Sequence, residues 1–581
     1  MSIIILFIFL LLSTLTTIII FKNKFGKSLL ITLFLNLITV FLSGVIFNKL
    51  SVGLIIGIIY SFLSIPLFII NKDKNEIKNN LLTVSFYSFL ILFLIVTVFD
   101  FNRQFTMWDE FSHWGVMVKE MVRLDTFYTV DNSTLLVHKD YPPIISILEY
   151  IFCKLSLGYK ESIVYISVHT FIISLFIPFI DKIEINIKNI IKIGLTIGSF
   201  VLIILLFDTY NIINTIYIDY ILSYLVIFLI CFILFENNIM NKTNLLIISL
   251  GLSILLLTKQ ISIAFYLMIV FLLNIKLFKK EYLKIDYIKN NYKKLILIIL
   301  LLIVPIVLSK IWTNYTYKFD IPRQFNISDI KFLELPKLFK GVGEEYKIIT
   351  LKNYINGLFN ISLTDSKFLN LSYVWCTLIY LVLLIILLIF RKDKKDLIKY
   401  GITILIGSIG YAFLMLNLYV FCFGPYEGPE LASFNRYMST YILIEYLSLF
   451  ILFIKEAKLR NIIILLIILS ISVRPSRILK LKPVIKYQKN KYEIISDDIK
   501  SYDIKKYSNI FLTSPSNDGS YQFYVKYYLG PYRTNLENYN NDINNIKEYI
   551  KGYDYVYDLD NNKLYEVKND NNVYKIKEMM H

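Results

Sequence analysis

The chain has 581 residues, 56% of them hydrophobic and only 18% charged, and apolar runs of membrane-crossing length recur along most of it. A spanning helix needs ~20 predominantly apolar residues and must satisfy its backbone polar groups internally, so this composition predicts an all-α polytopic membrane protein. The formal net charge of +17 sits largely in short lysine-rich loops between apolar runs, which reports membrane topology and argues against nucleic acid as a partner.

Taken in chain order, the lysines set a topology by the positive-inside rule. The opening apolar run carries its lysines after it ("FKNKFGK"), so it reads as an uncleaved first helix with its N-terminus outside. "FNKLS" at 47–51 is an outside turn, and "NKDKNEIKNN" at 71–80 lies inside. The fourth span, about 81–99, then emerges outside at "FNRQFTMWDEFSHWGVMVKEM" (101–121), and the outer loop continues to "HKDYPP". The next span begins near 144 or 162. "DKIEINIKNIIK" (181–192) is inside, "DTYNIINTIYIDY" (208–220) outside and "ENNIMNKTN" (236–244) inside. A hairpin turns outside at "TKQ" (258–260) and returns to a strongly basic inside loop. Beyond a span near 294–310 lies an outside segment of about 60 residues; "RKDKKDLIKY" is inside, "FGPYEGPELASFNRYMS" outside and "KEAKLR" inside. The last span ends near Val473. The expected count is 12–14 spans, forming a domain over 1–473.

From 474 to 581 the composition turns charged and polar, which predicts a small extracytoplasmic α/β domain. "YSNIFLTS" and "YDYVYDLD" read as strands, "SYQFYVKYYLG" and "INNIKEYIKG" as helices, and "KLYEV" with "VYKIKEM" as a terminal hairpin. "SPSNDGS" reads as a turn. Cys153, Cys231, Cys376 and Cys422 are solitary, with neither metal-ligand spacing nor a disulfide framework.

The ionisable residues of interest fall on the expected outer face. Asp109 and Glu110 lie where a carboxylate stays hydrated yet reaches a substrate anchored in the bilayer, and ionisable groups at membrane boundaries are costly unless employed. Trp108 and Trp114 read as interface anchors. His113 would share a helical face with either acid. Pro142 and Pro143 fix the entry to the next helix and hold His138, Lys139 and Asp140 above it, with Lys139 or His138 in reach of an anion. Asp219 opens the next inward span, where an acid also suits the helix dipole. Lys259 is an isolated charge between two apolar stretches, suited to an anionic headgroup. Arg436 carries a fork suited to phosphate, with Glu427 and Glu430 nearby as alternative salt-bridge partners. Carboxylates and cations on one face are what a lipid-linked phosphate substrate requires.

"MWDEFSHWG" followed by "HKDYPP" resembles the first extracytoplasmic loop of the type-C glycosyltransferases. Asp109, Glu110, His113, Trp114 and Gly115 match the Asp-Glu, histidine, aromatic and glycine pattern of the protein O-mannosyltransferases. Pro142 and Pro143 match the Pro-Pro ending, which the lipid A aminoarabinose transferases share as Lys-Pro-Pro. Three departures accompany the match: an extra residue separates Glu110 from His113, Lys139 stands three positions before Pro142, and three additional spans precede the motif. Asp219 falls, by order along the chain, where the family's second acidic motif would lie. The resemblance covers roughly residues 80–275.

It implies an inverting transfer of a sugar from a polyprenyl-phosphate donor to an extracytoplasmic glycan, lipid or protein acceptor. Asp109 would be the general base, with Glu110 as the second candidate. His113, His138, Lys139, Asp140, Asp219, Lys259 and Arg436 would bind substrate. No tightly bound cofactor is expected, and room is left for a divalent cation. Two rival readings stand beside it. A polysaccharide polymerase or ligase would be expected to use arginines and histidines in the 311–370 loop, which has Arg323 but no histidine. A transporter or scaffold is the other; a transporter would place ionisable groups mid-membrane in two matching halves.

Overall fold

The computed structural model describes residues 2–131, 133–208, 212–277, 285–321, 323, 330–391, 394–505, 507–513, 520–535, 549–570 and 573–579. Among these, ten helices are long and apolar enough to cross a membrane, or eleven if Lys74–Leu81 and Val84–Phe99, which meet at 48°, form one bent span. The expectation of 12–14 counted each apolar run as a full span. Three of those runs fold as shorter helices, Lys242–Leu256, Ser262–Leu277 and Leu459–Ser472, below the ~20 residues a perpendicular crossing takes. Ile144–Leu155 is likewise a short buried helix, and the crossing-length helix begins after it, at Glu161.

Position in the bundle follows side-chain chemistry. Ile218–Phe235 is apolar on every face after its first turn and is buried almost throughout, so it forms the centre of the bundle. Tyr373–Phe390 turns Val382, Ile386 and Ile389 outward. An apolar periphery of that kind is stable facing lipid tails and unstable facing water.

Contacts between loops sort into two sets, one at each end of the bundle. At one end Lys27 pairs with Glu236 at 3.0 Å, Lys276 with Asp396 at 3.6 Å and Arg391 with Glu456 at 2.8 Å. Lys24 donates to the Asp181 carbonyl at 3.0 Å. Every one of these residues lies in a loop, or at a helix end, that the lysine rule assigns to the inside. At the other end Asp125 accepts from the Ser51 N–H at 3.1 Å, Asp219 pairs with Lys259 at 2.6 Å, and Arg436 pairs with Asp109. All of these lie in segments assigned outside. The alternation read from the lysines is therefore realised as spatial segregation.

The C-terminal region holds a five-stranded sheet in the order β2-β1-β3-β4-β5. Its strands are β1 (Asn509–Thr513), β2 (Arg533–Thr534), β3 (Tyr555–Asp558), β4 (Lys563–Asp570) and β5 (Val573–Glu578). β1 runs parallel to β2 and β3, while β3, β4 and β5 are antiparallel neighbours. The expected strands, the terminal hairpin and the helix Ser520–Leu529 are present. The helix Lys491–Ser501 and the two-residue β2 were not anticipated. The expected helix over 543–552 and the turn at 514–520 fall largely outside the described residues.

This region does not hang free. Tyr524, Tyr527 and Tyr528 of Ser520–Leu529 surround Phe111, with ring centroids 4.9, 5.2 and 6.0 Å away. Lys119 donates to the Tyr527 carbonyl at 2.5 Å. The sheet region thus stands over the 100–143 loop, at the bundle end that carries Asp109.

Candidate functional site

Four side chains from four separate segments form one continuous ionic chain. Arg436 pairs with Asp109 and reaches Asp219 at 3.5 Å, and Asp219 accepts from the Lys259 ammonium at 2.6 Å. Each segment delivers its charge at a helix end. Asp219 lies in the first turn of Ile218–Phe235, where a carboxylate is favoured by the dipole. Arg436 lies in the first turn of Phe434–Glu456, where a cation is disfavoured, so its place depends on the two carboxylates that face it. Lys259 sits in the hairpin between Lys242–Leu256 and Ser262–Leu277.

Aromatic rings frame the cations. The Arg436 guanidinium lies 4.7 Å from the Tyr217 ring centroid and 4.9 Å from that of Tyr437, and Lys259 lies 5.2 Å from Tyr437. Stacking of this kind holds a guanidinium plane in a fixed orientation. Tyr217 also accepts from the Asp109 backbone N–H at 3.3 Å. Of the four charged side chains Asp109 is the most open, at 18% exposure against 8% for Arg436 and 7% for Asp219.

Glu110 is placed differently from its neighbour. It is fully buried, and both carboxylate oxygens are occupied. Thr106 and Met107 donate backbone N–H groups to Oε2, each at 2.8 Å; the Tyr165 hydroxyl and the Ile216 N–H reach Oε1 at 2.7 and 3.1 Å. Burial pushes its carboxyl up to about 7, against the opposing pull of those four donors. The side chain ties the loop to the segment before Ile218–Phe235, and so sets where Asp109 stands. Glu110 begins a π-helical turn, Glu110–Trp114, closed by Gly115. A Cβ on Gly115 would collide with the Phe105 ring and lie 2.6 Å from the Glu110 carbonyl, so only glycine allows this packing.

His113 and His138 are brought together, with ring centroids 4.4 Å apart, and His138 stacks on Tyr141 at 4.4 Å. Burial pushes His113 well below the ordinary imidazole value, and His138 adds to that; burial also takes His138 down to about 4, partly opposed by Asp109. Burial thus disfavours the charged form of both rings. Among the described residues the buried Nδ1 of His138 has no hydrogen-bond partner.

Asp140 is structural in its surroundings. Gln260 donates to its carboxylate at 2.6 Å and Trp312 to its carbonyl at 3.0 Å, which fixes the loop to the hairpin that carries Lys259. Lys139 points elsewhere, into a cleft against the sheet region with Asp131 and Arg533. Both indoles pack against rings of the protein. Trp108 packs on Phe523 and Tyr524 with centroids 5.1 and 5.7 Å away, and Trp114 is buried and stacked on Tyr141 at 5.3 Å. The carboxylates that pair with Arg436 are those of Asp109 and Asp219.

Tyr217, Tyr437 and Gln260 escape a reading of the sequence. With 44 tyrosines in the chain, no single one stands out. Among the described residues no group of three or more His, Cys, Asp and Glu side chains is arranged to hold a metal ion.

Comparison with known proteins returns nothing. No family model matches the chain, and no curated protein or solved structure does.

Proposed function

We propose that the chain is an inverting glycosyltransferase of the cell membrane, similar in plan to the type-C enzymes. It would transfer a sugar from a polyprenyl-phosphate donor to an acceptor hydroxyl at the extracytoplasmic face. The observation that carries this reading is the ionic chain Asp109–Arg436–Asp219–Lys259, in which the most open carboxylate is held by a cation that also suits phosphate.

The step balances with these residues alone. The donor phosphate takes over Arg436, with Lys259 beside it, and so releases the oxygens of Asp109. The acceptor oxygen attacks the anomeric carbon from the face opposite the phosphate, and its proton passes to Asp109. The bond from the anomeric carbon to the phosphate oxygen breaks, and its electron pair leaves with the polyprenyl phosphate. Arg436 and Lys259 stabilise the charge that gathers there, in a site with little solvent to compete. Asp219 keeps the two cations together when Asp109 lets go. Inversion needs one carboxylate near the reacting carbon, and Asp109, more open than Asp219 or the enclosed Glu110, takes that role in this reading.

Membranes containing the wild-type protein, supplied with radiolabelled polyprenyl-phosphate hexoses and pentoses, test the class. At least one donor is consumed with release of polyprenyl phosphate. Recovery of every donor intact, with the protein shown to be folded, contradicts the proposal.

A further inference from the structure

A cavity of about 450 Å³ lies between the 131–139 stretch of the loop and the C-terminal sheet region. Its size is that of a ligand site, for which ~300–1,000 Å³ is usual. The charge of its lining is one-sided. Among the described residues Lys139, Lys526, Arg533 and Lys551 face it against a single acid, Asp131. Glu120, whose charge acts on Lys526, is already engaged by Arg123 and by the Thr134 N–H at 2.8 Å.

Two polar residues of the lining, Lys526 and Thr534, are buried, where polar groups nearly always have partners. Lys526 is only 6% exposed, and its ammonium lies 5.9 Å from the Phe523 ring centroid. Burial lowers it to about 7, with Glu120 opposing and Lys139 adding to the effect. Thr534 is 8% exposed, and among the described residues its hydroxyl has no hydrogen-bond partner. A buried ammonium beside an unused hydroxyl, ringed by three further cations, is stable when an anion completes it. Arg533 is held at the rim by donating to the Asp131 carbonyl at 2.9 Å.

We propose that this cleft is a second anion site, separate from the Asp109 cluster, which binds a soluble ligand through its phosphate group. Lys526 and Thr534 form its floor, and Lys139, Arg533 and Lys551 its rim. The site is assembled from both parts of the chain, so occupancy also clamps the sheet region to the loop. Under the proposed reaction its ligand would be the acceptor, but its existence does not depend on that reaction.

The test uses the full-length protein in nanodiscs of zwitterionic lipid, titrated calorimetrically with a glycerol-phosphate oligomer. Saturable binding is expected, weakening as salt is raised. Lys526→Met should weaken it about tenfold or more, on the scale of one charge-assisted hydrogen bond. Arg533→Gln and Lys551→Gln change exposed side chains without disturbing the fold, and each should weaken binding about three- to tenfold. A melting temperature measured for each variant separates loss of binding from loss of fold. Absence of saturable binding, or rim variants that bind as the wild type does, overturns the proposal. So does competition by phosphatidylglycerol nanodiscs with no binding of the soluble oligomer. These outcomes bear on the cleft alone, because donor consumption is not measured.

Discussion

Glu110 keeps its carboxylate inside a shell of four donors, while Asp109, one residue away, is the most open member of a chain of charges. The two should fail in different ways when altered. In Glu110→Gln the side-chain amide must turn its own N–H groups toward backbone donors, at a cost of about 1–3 kcal/mol for each group left unsatisfied. We therefore expect a lower melting temperature for the detergent-purified variant. The wild type should also carry a pH signature there. Glu110 titrates near 7 when folded and near its ordinary value when unfolded, so the folded state holds a proton that the unfolded state has lost. Stability contributed by the protonated form is complete below the ordinary carboxylate range and is lost as pH rises toward 7. Melting curves from pH 4.5 to 7.5 should show a smaller decline with pH in Glu110→Gln than in the wild type. Equal slopes would contradict this placement of the charge.

The sequence made Asp109, Asp219, Lys259 and Arg436 legible for a physical reason. In a chain this apolar, a charge at the edge of a span has a high desolvation cost and stands out against its neighbours. Tyr217 and Tyr437 were hidden by the abundance of tyrosine, and Lys526 by a segment where lysine is ordinary. The enclosure of Glu110 is not legible, because its adjacency to Asp109 in sequence says nothing about which backbone donors surround it.

At the scale of elements, the hinge of the molecule is the packing of Ser520–Leu529 on the π-helical turn. Phe111 is 4% exposed and sits among Phe105, Tyr524, Tyr527 and Tyr528. Phe111→Ala empties that contact, and truncating a buried phenylalanine costs about 3–5 kcal/mol. The expected consequence is partial release of the sheet region with the membrane helices intact. Limited trypsin digestion reads this at the mostly exposed 480–490 segment, which carries Lys482, Lys486 and Lys489. Faster cleavage there, with no new cuts within the bundle, is the expected pattern; wild-type kinetics would show that the aromatic contact does not hold the region down. The sequence revealed the strands of this region through their alternation, but not its docking face, because Phe and Tyr on a surface and at an interface look alike.

For the molecule as a whole, the contacts divide the loops into two ends, and the lysine pattern orients those ends across the membrane. Single cysteines carry the test, placed in a background where the native cysteines are replaced. Lys551→Cys, at the Asp109 end, should react with a membrane-impermeant maleimide in intact cells. Lys74→Cys, at the opposite end, should react only after permeabilisation. The reverse pattern would invert the topology and place the proposed chemistry in the cytoplasm.

The central claim is that Asp109 takes the acceptor proton. Its most direct measurement is turnover of purified Asp109→Asn on a donor that the wild type consumes, alongside the dissociation constant for that donor. Asparagine keeps the size of the side chain and removes the base, and general-base catalysis contributes ~10²–10⁴-fold, so turnover should fall by about that factor while donor binding is retained. A folded Asp109→Asn protein that turns over within about twofold of the wild type would contradict the assignment, being far short of the loss a missing base produces.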